Sequence, residues 1–262
     1  MPDENKNDSL KLKLLGPVAA AAGATLQDAW ELVFGGFGNY VEKKRMERKK
    51  ALEDFKATLE GKVNSIPSNQ LCEPPLSVIG PALEASKYYF EEKELRDMFA
   101  SVISASMDTR VASRVHPSFP TIIQQLSSID AQNLACFHSA GALPICEYQI
   151  DVKQTDPTSE KSFRVSYTNV FLANSQIHDL NKAAVSIAVL SRLGLIEVAY
   201  DRTLIIADYQ IFEETAEFKS LISKCKENSA ESPHIQKGVA LLTPLGEQLC
   251  SICFSDPPQS DS

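Results

Sequence analysis

The sequence predicts a mainly helical α+β protein, with a helical N-terminal half followed by a winged-helix-like C-terminal domain. Apolar residues recur at helical spacing through the first 125 residues, whereas alternating apolar residues and hairpin signals begin only after residue 126. The 262-residue chain is 44% hydrophobic, which is enough to bury a core in one or two domains. We place the helical domain at 14–125 and the winged-helix-like domain at 126–254, between disordered tails at 1–13 and 255–262.

The first predicted helix, about 14–37, is the most apolar segment of the chain. Asp28 and Glu31 would lie near the middle of a membrane span, where one carboxylate costs about 3 kcal/mol. Leu26 and Phe37 belong to an apolar stripe that excludes both acids, which favours an amphipathic helix packed against protein. Glycines at positions 35, 36 and 38 predict a turn after it.

The second predicted helix, about 40–64, begins with a cluster of cations and continues with apolar residues at core spacing. The cations are Lys43, Lys44, Arg45, Arg48, Lys49 and Lys50, and the apolar residues are Leu52, Phe55, Leu59 and Val63. A charge cluster of this kind usually marks a solvated helix face. Beside an apolar amphipathic helix it could also contact anionic lipid headgroups, so peripheral contact with the inner membrane stays open.

Two further amphipathic helices are predicted at about 75–90 and 92–107, with Leu95, Phe99 and Val102 on the buried side of the second. The prolines in Val115-His116-Pro117 and Phe119-Pro120 predict an extended, stiff connector after them. Trp30 and the cluster Tyr88-Tyr89-Phe90 are most simply core or inter-helix contacts, although an exposed aromatic cluster would mark a partner surface.

The C-terminal half shows a mixed pattern. The segment Ser127-Ser128-Ile129-Asp130 offers an N-cap for a helix that should run through about Ser139 and stop at Gly141. Strands are predicted at 145–152 and 163–172. A helix over 181–193 should be followed by a hairpin with strands 196–200 and 204–207, then by a helix over 212–226. A last strand, 239–242, leads into a helix with Thr243 as N-cap and Pro244 at its first position.

Charge argues against nucleic acid as a partner. Residues 126–262 carry 17 acidic and 10 basic side chains, a formal charge of −7 out of −8 for the whole chain. The helix in the DNA-reading position offers only Lys182 and Arg192, and apolar residues around most of its circumference predict that it is buried. A winged-helix transcriptional regulator therefore remains only an alternative.

The cellular compartment is predicted from cysteine usage and the N-terminal residues. Six cysteines lie scattered in apolar or helical contexts, and the first residues do not form a secretory signal. Both observations predict a cytoplasmic protein. Cys250 and Cys253 have the spacing of one buried helix side, so we expect them to pack rather than to react.

One group of residues could supply an acid-base or metal site. His116 and Asp108, with Glu84 or Glu94, have the required atoms, but one histidine without a second at ligand spacing is weak evidence for a metal. Asp108 also lies where a helix cap is expected. We expect no catalytic, cofactor-binding or metal-binding residue, and an uncharacterised enzyme remains an alternative.

Five short motifs in fixed order resemble the signature of the bacterial Abi-alpha (abortive infection alpha) family. They are Pro81-Ala82-Leu83-Glu84-Ala85, Glu94-Leu95-Arg96-Asp97-Met98-Phe99-Ala100, Ser106-Met107-Asp108, His116-Pro117-Ser118-Phe119 and Leu126-Ser127-Ser128-Ile129-Asp130-Ala131. The similarity extends from about Leu14 to about Cys253, and it implies a role in phage resistance rather than a known reaction. Within the motifs we take as candidate interaction positions Glu84, Glu94, Arg96, Met107, Asp108, His116 and Pro117.

The resemblance predicts a phage-defence protein that acts by abortive infection. We expect it to act non-enzymatically, through contact with a phage or host protein or with a membrane surface. Homo-oligomerisation stays open.

Overall fold

The computed structural model describes residues 19–34, 42–153, 162–205 and 207–255. Its helices are α1 (Ala19–Phe34), α2 (Glu42–Asn64), α3 (Leu76–Ser86), α4 (Lys93–Ala105), α5 (Phe119–Ile123), α6 (Ser128–Ala140), α7 (Leu180–Arg192), α8 (Ala216–Lys226) and α9 (Pro244–Cys253). The strands are β1 (Ala142–Val152), β2 (Ser162–Val170), β3 (Ile196–Ala199) and β4 (Glu231–Leu242). The predicted α+β class is confirmed.

The chain forms two compact units. The first contains the described residues up to Ser128 together with 248–255, and the second contains Ile129–Glu247. The domain bounds inferred from the sequence remain predictions. The predicted glycine turn and the tail at 1–13 lie outside the described residues, as does all but the first residue of the tail at 255–262.

The first unit has an aromatic core between α1 and α2. The Trp30 ring centroid lies 4.5 Å from that of Phe34 and 5.6 Å from that of Phe55, and all three side chains are fully buried. Leu59 and Val63 continue the buried side of α2, as their spacing predicted. Rings at these distances contribute stabilisation beyond their buried area, so they hold the two helices together.

The connector before α6 differs from the prediction. Val115 is extended, with φ −80° and ψ 103°, but Phe119 and Pro120 begin the short helix α5. Proline is tolerated in a first turn because its missing N–H would have no partner inside the helix. The backbone N–H of Phe119 donates to the His116 carbonyl at 3.0 Å. The prediction of extended backbone at Phe119 was therefore wrong.

In the second unit the strands form an antiparallel sheet in the order β2-β1-β4-β3. β1 and β4 pair along nearly their whole lengths, from Ala142 opposite Leu241 to Val152 opposite Glu231. One side of the sheet carries Tyr148, which packs with α8 and with the turn around Phe212 to form the core. β4 begins eight residues before its predicted start, because β1 supplies backbone partners as far as Glu231.

The predicted hairpin between 196–200 and 204–207 was wrong. β3 pairs with β4 instead, with Ile196 opposite Leu242 and Ala199 opposite Val239. The Leu204 backbone N–H, which a hairpin strand would have used, donates to the Tyr209 hydroxyl at 3.2 Å. That hydroxyl in turn donates to the Gly238 carbonyl on β4 at 2.6 Å. A side chain thus satisfies the Leu204 N–H, for which the sequence had suggested a strand partner.

Helix α7 is amphipathic rather than buried around its circumference. Leu180, Ala183, Ile187 and Leu190 face the core, while Val185 is 64% exposed. The exposed side also presents Asn181, Lys182, Ala188 and Arg192. The prediction that α7 is a buried helix was wrong on this side. The more specific winged-helix assignment remains a prediction.

Candidate functional site

The first unit contains a cavity of about 240 Å³ near the C-terminal ends of α2, α4 and α9. Its apolar lining comes from Ile66, Ala105, Val111 and Ile252. Its polar lining comes from Lys62, Ser65, Ser101, Ser104, Asp108, Arg114, Ser251 and Ser255. Charged and hydroxyl side chains gathered in one concave place are typical of a ligand site, so this cavity is the candidate functional site.

Asp108 is positioned by backbone pairing just after the end of α4. The Cys72 N–H donates to the Met107 carbonyl and the Thr109 N–H donates to the Gln70 carbonyl, each at 2.8 Å. Leu71 and Asp108 therefore form an isolated antiparallel bridge. This bridge fixes the backbone at the cavity wall, where Met107 and Asp108 are both buried.

The Asp108 carboxylate is held by Arg110. Oδ1 accepts from Arg110 Nε at 2.9 Å and from the Arg110 backbone N–H at 3.0 Å, and Oδ2 accepts from Nη2 at 2.6 Å. Burial alone would raise the pKa of Asp108, but these hydrogen bonds and the guanidinium charge outweigh it and hold the pKa below its usual value. Asp108 is therefore an anion whose charge Arg110 compensates.

Two cations line the cavity in addition to this pair. Lys62 is half-buried near the end of α2, and Arg114 is exposed after the short turn that follows Val111. Within the described ranges, neither side chain forms an ion pair with a carboxylate. Because Arg110 already neutralises Asp108, the described part of the lining has an excess of positive charge.

Serine hydroxyls make up much of the remaining polar lining. Ser65 donates to the Lys62 carbonyl at 2.7 Å, Ser104 to the Ser101 carbonyl at 3.1 Å and Ser251 to the Gln248 carbonyl at 2.8 Å. Each hydroxyl proton is thus used within the protein. Each hydroxyl oxygen keeps lone pairs that can accept a hydrogen bond from a ligand.

The other candidate acid-base residues do not join Asp108 at the cavity. His116 is exposed, and its Nδ1 accepts the Ser118 N–H at 3.1 Å and lies 2.7 Å from the Ser118 hydroxyl. Glu84 pairs with Lys87 at 2.7 Å. Neither these two residues nor Glu94 lines the cavity. His116 and the exposed Pro117 instead form the turn that leads into α5.

Arg96 lies on the buried side of α4 rather than at the cavity. Its Nη1 lies 3.6 Å from an Asp54 carboxylate oxygen and 3.4 Å from the Phe90 carbonyl. Its Nε is buried and has no hydrogen-bond partner within the described part of the chain. The arginine therefore links α4 to α2 and to the end of the Tyr88-Tyr89-Phe90 segment.

Four of the five signature motifs lie in the first unit, and the fifth, at 126–131, runs from that unit into α6. The sequence model of the family described as abortive infection alpha matches residues 47–253, which is most of the chain. The chain belongs to the Abi-alpha family. Comparisons with curated proteins and with solved structures gave no match.

In this Abi-alpha protein the sequence pointed to Asp108 but missed the other polar residues of the cavity. Arg110 could have been found, because an aspartate two residues before an arginine is a simple local pair. Lys62, Ser101, Arg114 and Ser251 gave no such signal, because they come from distant parts of the sequence. Across the described residues, no group of three or more His, Cys, Asp or Glu side chains could hold a metal ion.

The predicted basic cluster is only partly described. Lys49 and Lys50 are exposed on α2, and Lys49 Nζ lies 3.8 Å from a Glu53 carboxylate oxygen. The side chains of Lys43, Lys44, Arg45 and Arg48 lie outside the described part. Among the helices that the structure describes, none combines the length and the apolar character that a membrane span requires.

The cysteines of α9 pack as predicted. Cys250 is fully buried, and the Cys253 thiol lies 4.0 Å from the Met98 carbonyl. Burial raises the pKa of the Cys253 thiol, and the neighbouring Cys250 adds to that effect. A thiol with a raised pKa is a poor nucleophile at neutral pH, which fits a packing role.

Proposed function

We propose that this Abi-alpha protein acts in phage defence by abortive infection, and that it works by binding a phage or host component rather than by catalysing a reaction. The observation that carries the proposal is the family match over residues 47–253. In abortive infection the infected cell stops growing or dies before new phage is released, so uninfected neighbours survive.

A binding mechanism is supported by what the candidate chemical groups do in the first unit. The Asp108 carboxylate is engaged by Arg110, and His116 Nδ1 accepts a backbone N–H. A neutral imidazole that accepts at Nδ1 carries its proton on Nε2, so it has no free nitrogen lone pair with which to abstract a proton. These two groups therefore favour structural roles over general acid-base chemistry.

Exposed apolar side chains in the same unit support contact with a partner. Leu32 on α1 is 87% exposed, Leu76 on α3 is 67% exposed and Tyr88 is 71% exposed. Exposed tyrosine is enriched at protein interfaces because its ring is apolar and its hydroxyl can hydrogen-bond. Tyr88 is therefore the first position at which to probe a protein partner.

The defence role is tested by challenging host cells that express the chain with phage at low and at high ratios of particles to cells. We expect survival of the culture at the low ratio and collapse at the high ratio. Cells carrying Tyr88→Ala should lose protection if this surface binds the partner, whereas Lys226→Ala on α8 serves as an exposed control. Equal phage yield from cells with and without the protein, across a varied panel of phages, would contradict the proposal.

The membrane-surface form of the proposal has its own test. We expect the full chain to bind vesicles rich in anionic lipid, and the double variant Lys49→Glu/Lys50→Glu to bind them less. The matched control is Lys224→Glu/Lys226→Glu, which makes the same charge change on the exposed side of α8. Equal binding by both double variants would exclude the α2 cluster as the contact.

A DNA-reading role has one observation in its favour, namely the exposed side of α7. Asn181, Lys182 and Arg192 are residue types that can hydrogen-bond base edges or phosphates. The strongly acidic composition of residues 126–262 opposes it, because affinity for DNA depends on phosphate neutralisation. Binding of a mixed-sequence DNA duplex to the purified protein would support this alternative if that binding weakens as salt is added and in the Lys182→Gln variant.

A further inference from the structure

We infer that the cavity of the first unit binds a small phosphorylated polyol, that is, a phosphate ester that carries free hydroxyl groups. Glycerol phosphate is the smallest compound of this class. The inference rests on the size, the charge and the hydrogen-bonding pattern of the lining. It does not depend on a role in phage defence.

The volume of the cavity limits the part of a ligand that it can enclose. One water occupies roughly 30 Å³ in the liquid, so a cavity of about 240 Å³ has room for about eight waters or a ligand of about ten non-hydrogen atoms. Pockets for drug-sized ligands are larger, at roughly 300–1,000 Å³. The cavity can therefore enclose a small metabolite or a lipid headgroup, but not a whole dinucleotide.

The charges of the lining select an anion. Arg110 compensates Asp108 through three hydrogen bonds, whereas Lys62 and Arg114 have no carboxylate partner among the described residues. A phosphate group would supply the missing negative charge. Arginine and lysine are the usual phosphate-binding side chains, and charge-assisted hydrogen bonds of this kind are the strong ones.

The hydroxyl groups of the lining select a ligand that also donates hydrogen bonds. Ser65, Ser104 and Ser251 already donate their protons to backbone carbonyls, so they present acceptor oxygens. A bare phosphate dianion offers no proton to these oxygens. The hydroxyls of a polyol do, and they would pair with the serine oxygens while the phosphate meets the cations.

The apolar part of the lining argues against a nucleobase. Ile66, Val111 and Ile252 are aliphatic, and none of the described residues that line the cavity is an aromatic side chain on which a base could stack. Small aliphatic groups suit the carbon chain of a polyol. A phosphorylated polyol is thus the ligand class that matches each part of the lining.

This chemistry could come from a soluble metabolite or from the headgroup of phosphatidylglycerol. The experiment therefore has two arms with the purified full chain. In the first, glycerol 3-phosphate is titrated by calorimetry, with glycerol and inorganic phosphate as comparison ligands. In the second, vesicles of phosphatidylglycerol and of phosphatidylcholine are compared by co-sedimentation.

We expect glycerol 3-phosphate to bind more tightly than inorganic phosphate, and glycerol alone not to bind. Lys62→Gln and Arg114→Gln should each weaken binding about tenfold, the effect of losing one charged hydrogen bond. Lys224→Gln is the matched control, because it removes the same charge from an exposed position of α8 outside the cavity. Circular dichroism and thermal melting establish that each variant is folded.

Binding to phosphatidylglycerol vesicles that depends on Lys62 and Arg114 would assign the site to the lipid headgroup. Binding of free glycerol 3-phosphate without vesicle binding would assign it to a soluble metabolite. Inorganic phosphate binding as tightly as glycerol 3-phosphate would overturn the polyol class. No binding in either arm, or equal loss in Lys224→Gln, would overturn the site.

Discussion

The Arg110 guanidinium donates two parallel hydrogen bonds to the Asp108 carboxylate. The distance is 2.9 Å from Nε to Oδ1 and 2.6 Å from Nη2 to Oδ2. Asp108 is only 3% exposed and its backbone is paired with Leu71. Fork-to-fork geometry of this kind is specific as well as strong. A residue of the family signature therefore stabilises the cavity wall, and its partner lies outside the signature motifs.

Replacing Arg110 should destabilise the protein, because it leaves a buried carboxylate without its partner. For Arg110→Met we expect a loss of about 3 kcal/mol in the free energy of unfolding, measured by urea denaturation. The matched control is Arg114→Met, whose exposed side chain has no ion pair in the described residues and should change stability by less than about 0.5 kcal/mol. Equal effects of the two substitutions would contradict the pairing.

The Asp108–Arg110 pair also predicts a pH dependence of stability. The folded-state pKa of Asp108 is lowered, so its contribution is fully present above the unfolded-state pKa of about 3.9 and is lost as pH falls through the folded-state value. Wild type should have a larger free energy of unfolding than Asp108→Asn at neutral pH. The difference between the two should disappear under acid conditions. A difference in the free energy of unfolding that stays constant from pH 7 to strongly acidic pH would show that the Asp108 charge does not stabilise the fold.

The turn before α5 should depend on the acceptor at position 116 rather than on an imidazole. His116 Nδ1 accepts the N–H of Ser118, two residues on, as an Asn or Asp side chain does in an Asx-turn. His116→Ala should therefore lose about 1 kcal/mol of stability, whereas His116→Asn should retain most of it. The readout is thermal melting. If phage protection is lost in His116→Asn while stability is kept, the imidazole has a role beyond the turn.

Two glycines should respond to alanine in opposite directions. A Cβ at Gly246 would overlap the backbone carbonyl of Leu195, which also accepts the Thr243 N–H at 3.0 Å, so Gly246→Ala should cost about 1–3 kcal/mol. Gly61, within α2, has nothing within 4 Å of an added Cβ. Gly61→Ala should stabilise the protein by about 0.5–1 kcal/mol through improved helix propensity. Chemical denaturation of both variants tests these two expectations. Stabilisation by Gly246→Ala would contradict the close approach of Gly246 to the Leu195 carbonyl.

Elements defined by neighbouring residues were predictable from the sequence. Gly141, at φ +72°, follows the last residue of α6, and Gly194, at φ +71°, follows the C-cap of α7. The Thr243 hydroxyl accepts the Gly246 N–H at 3.1 Å at the start of α9, as its N-cap pattern predicted. Capping and left-handed termination require only a few consecutive residues, so the sequence contains the whole signal.

Elements that depend on distant partners were not predictable in the same way. β3 pairs with β4 and not with 204–207, and the Tyr209 hydroxyl bridges Leu204 to Gly238 on β4. Strand propensity cannot report such a contact, because it describes one segment at a time. The same limit explains why Val185 could not be placed on the exposed side of α7 by composition alone.

By itself the sequence determined the α+β class, the positions of the main helices, the acidic charge and the family resemblance that the match over 47–253 confirmed. Only the tertiary structure decided which side chains meet. It paired Asp108 with Arg110 in the wall of a cavity, excluded His116 and Glu84 from that cavity, and added Lys62, Arg114 and Ser251 to it. The physical reason is range: periodicity, caps and charge are properties of short stretches, whereas a binding cavity is made of residues that only packing brings together.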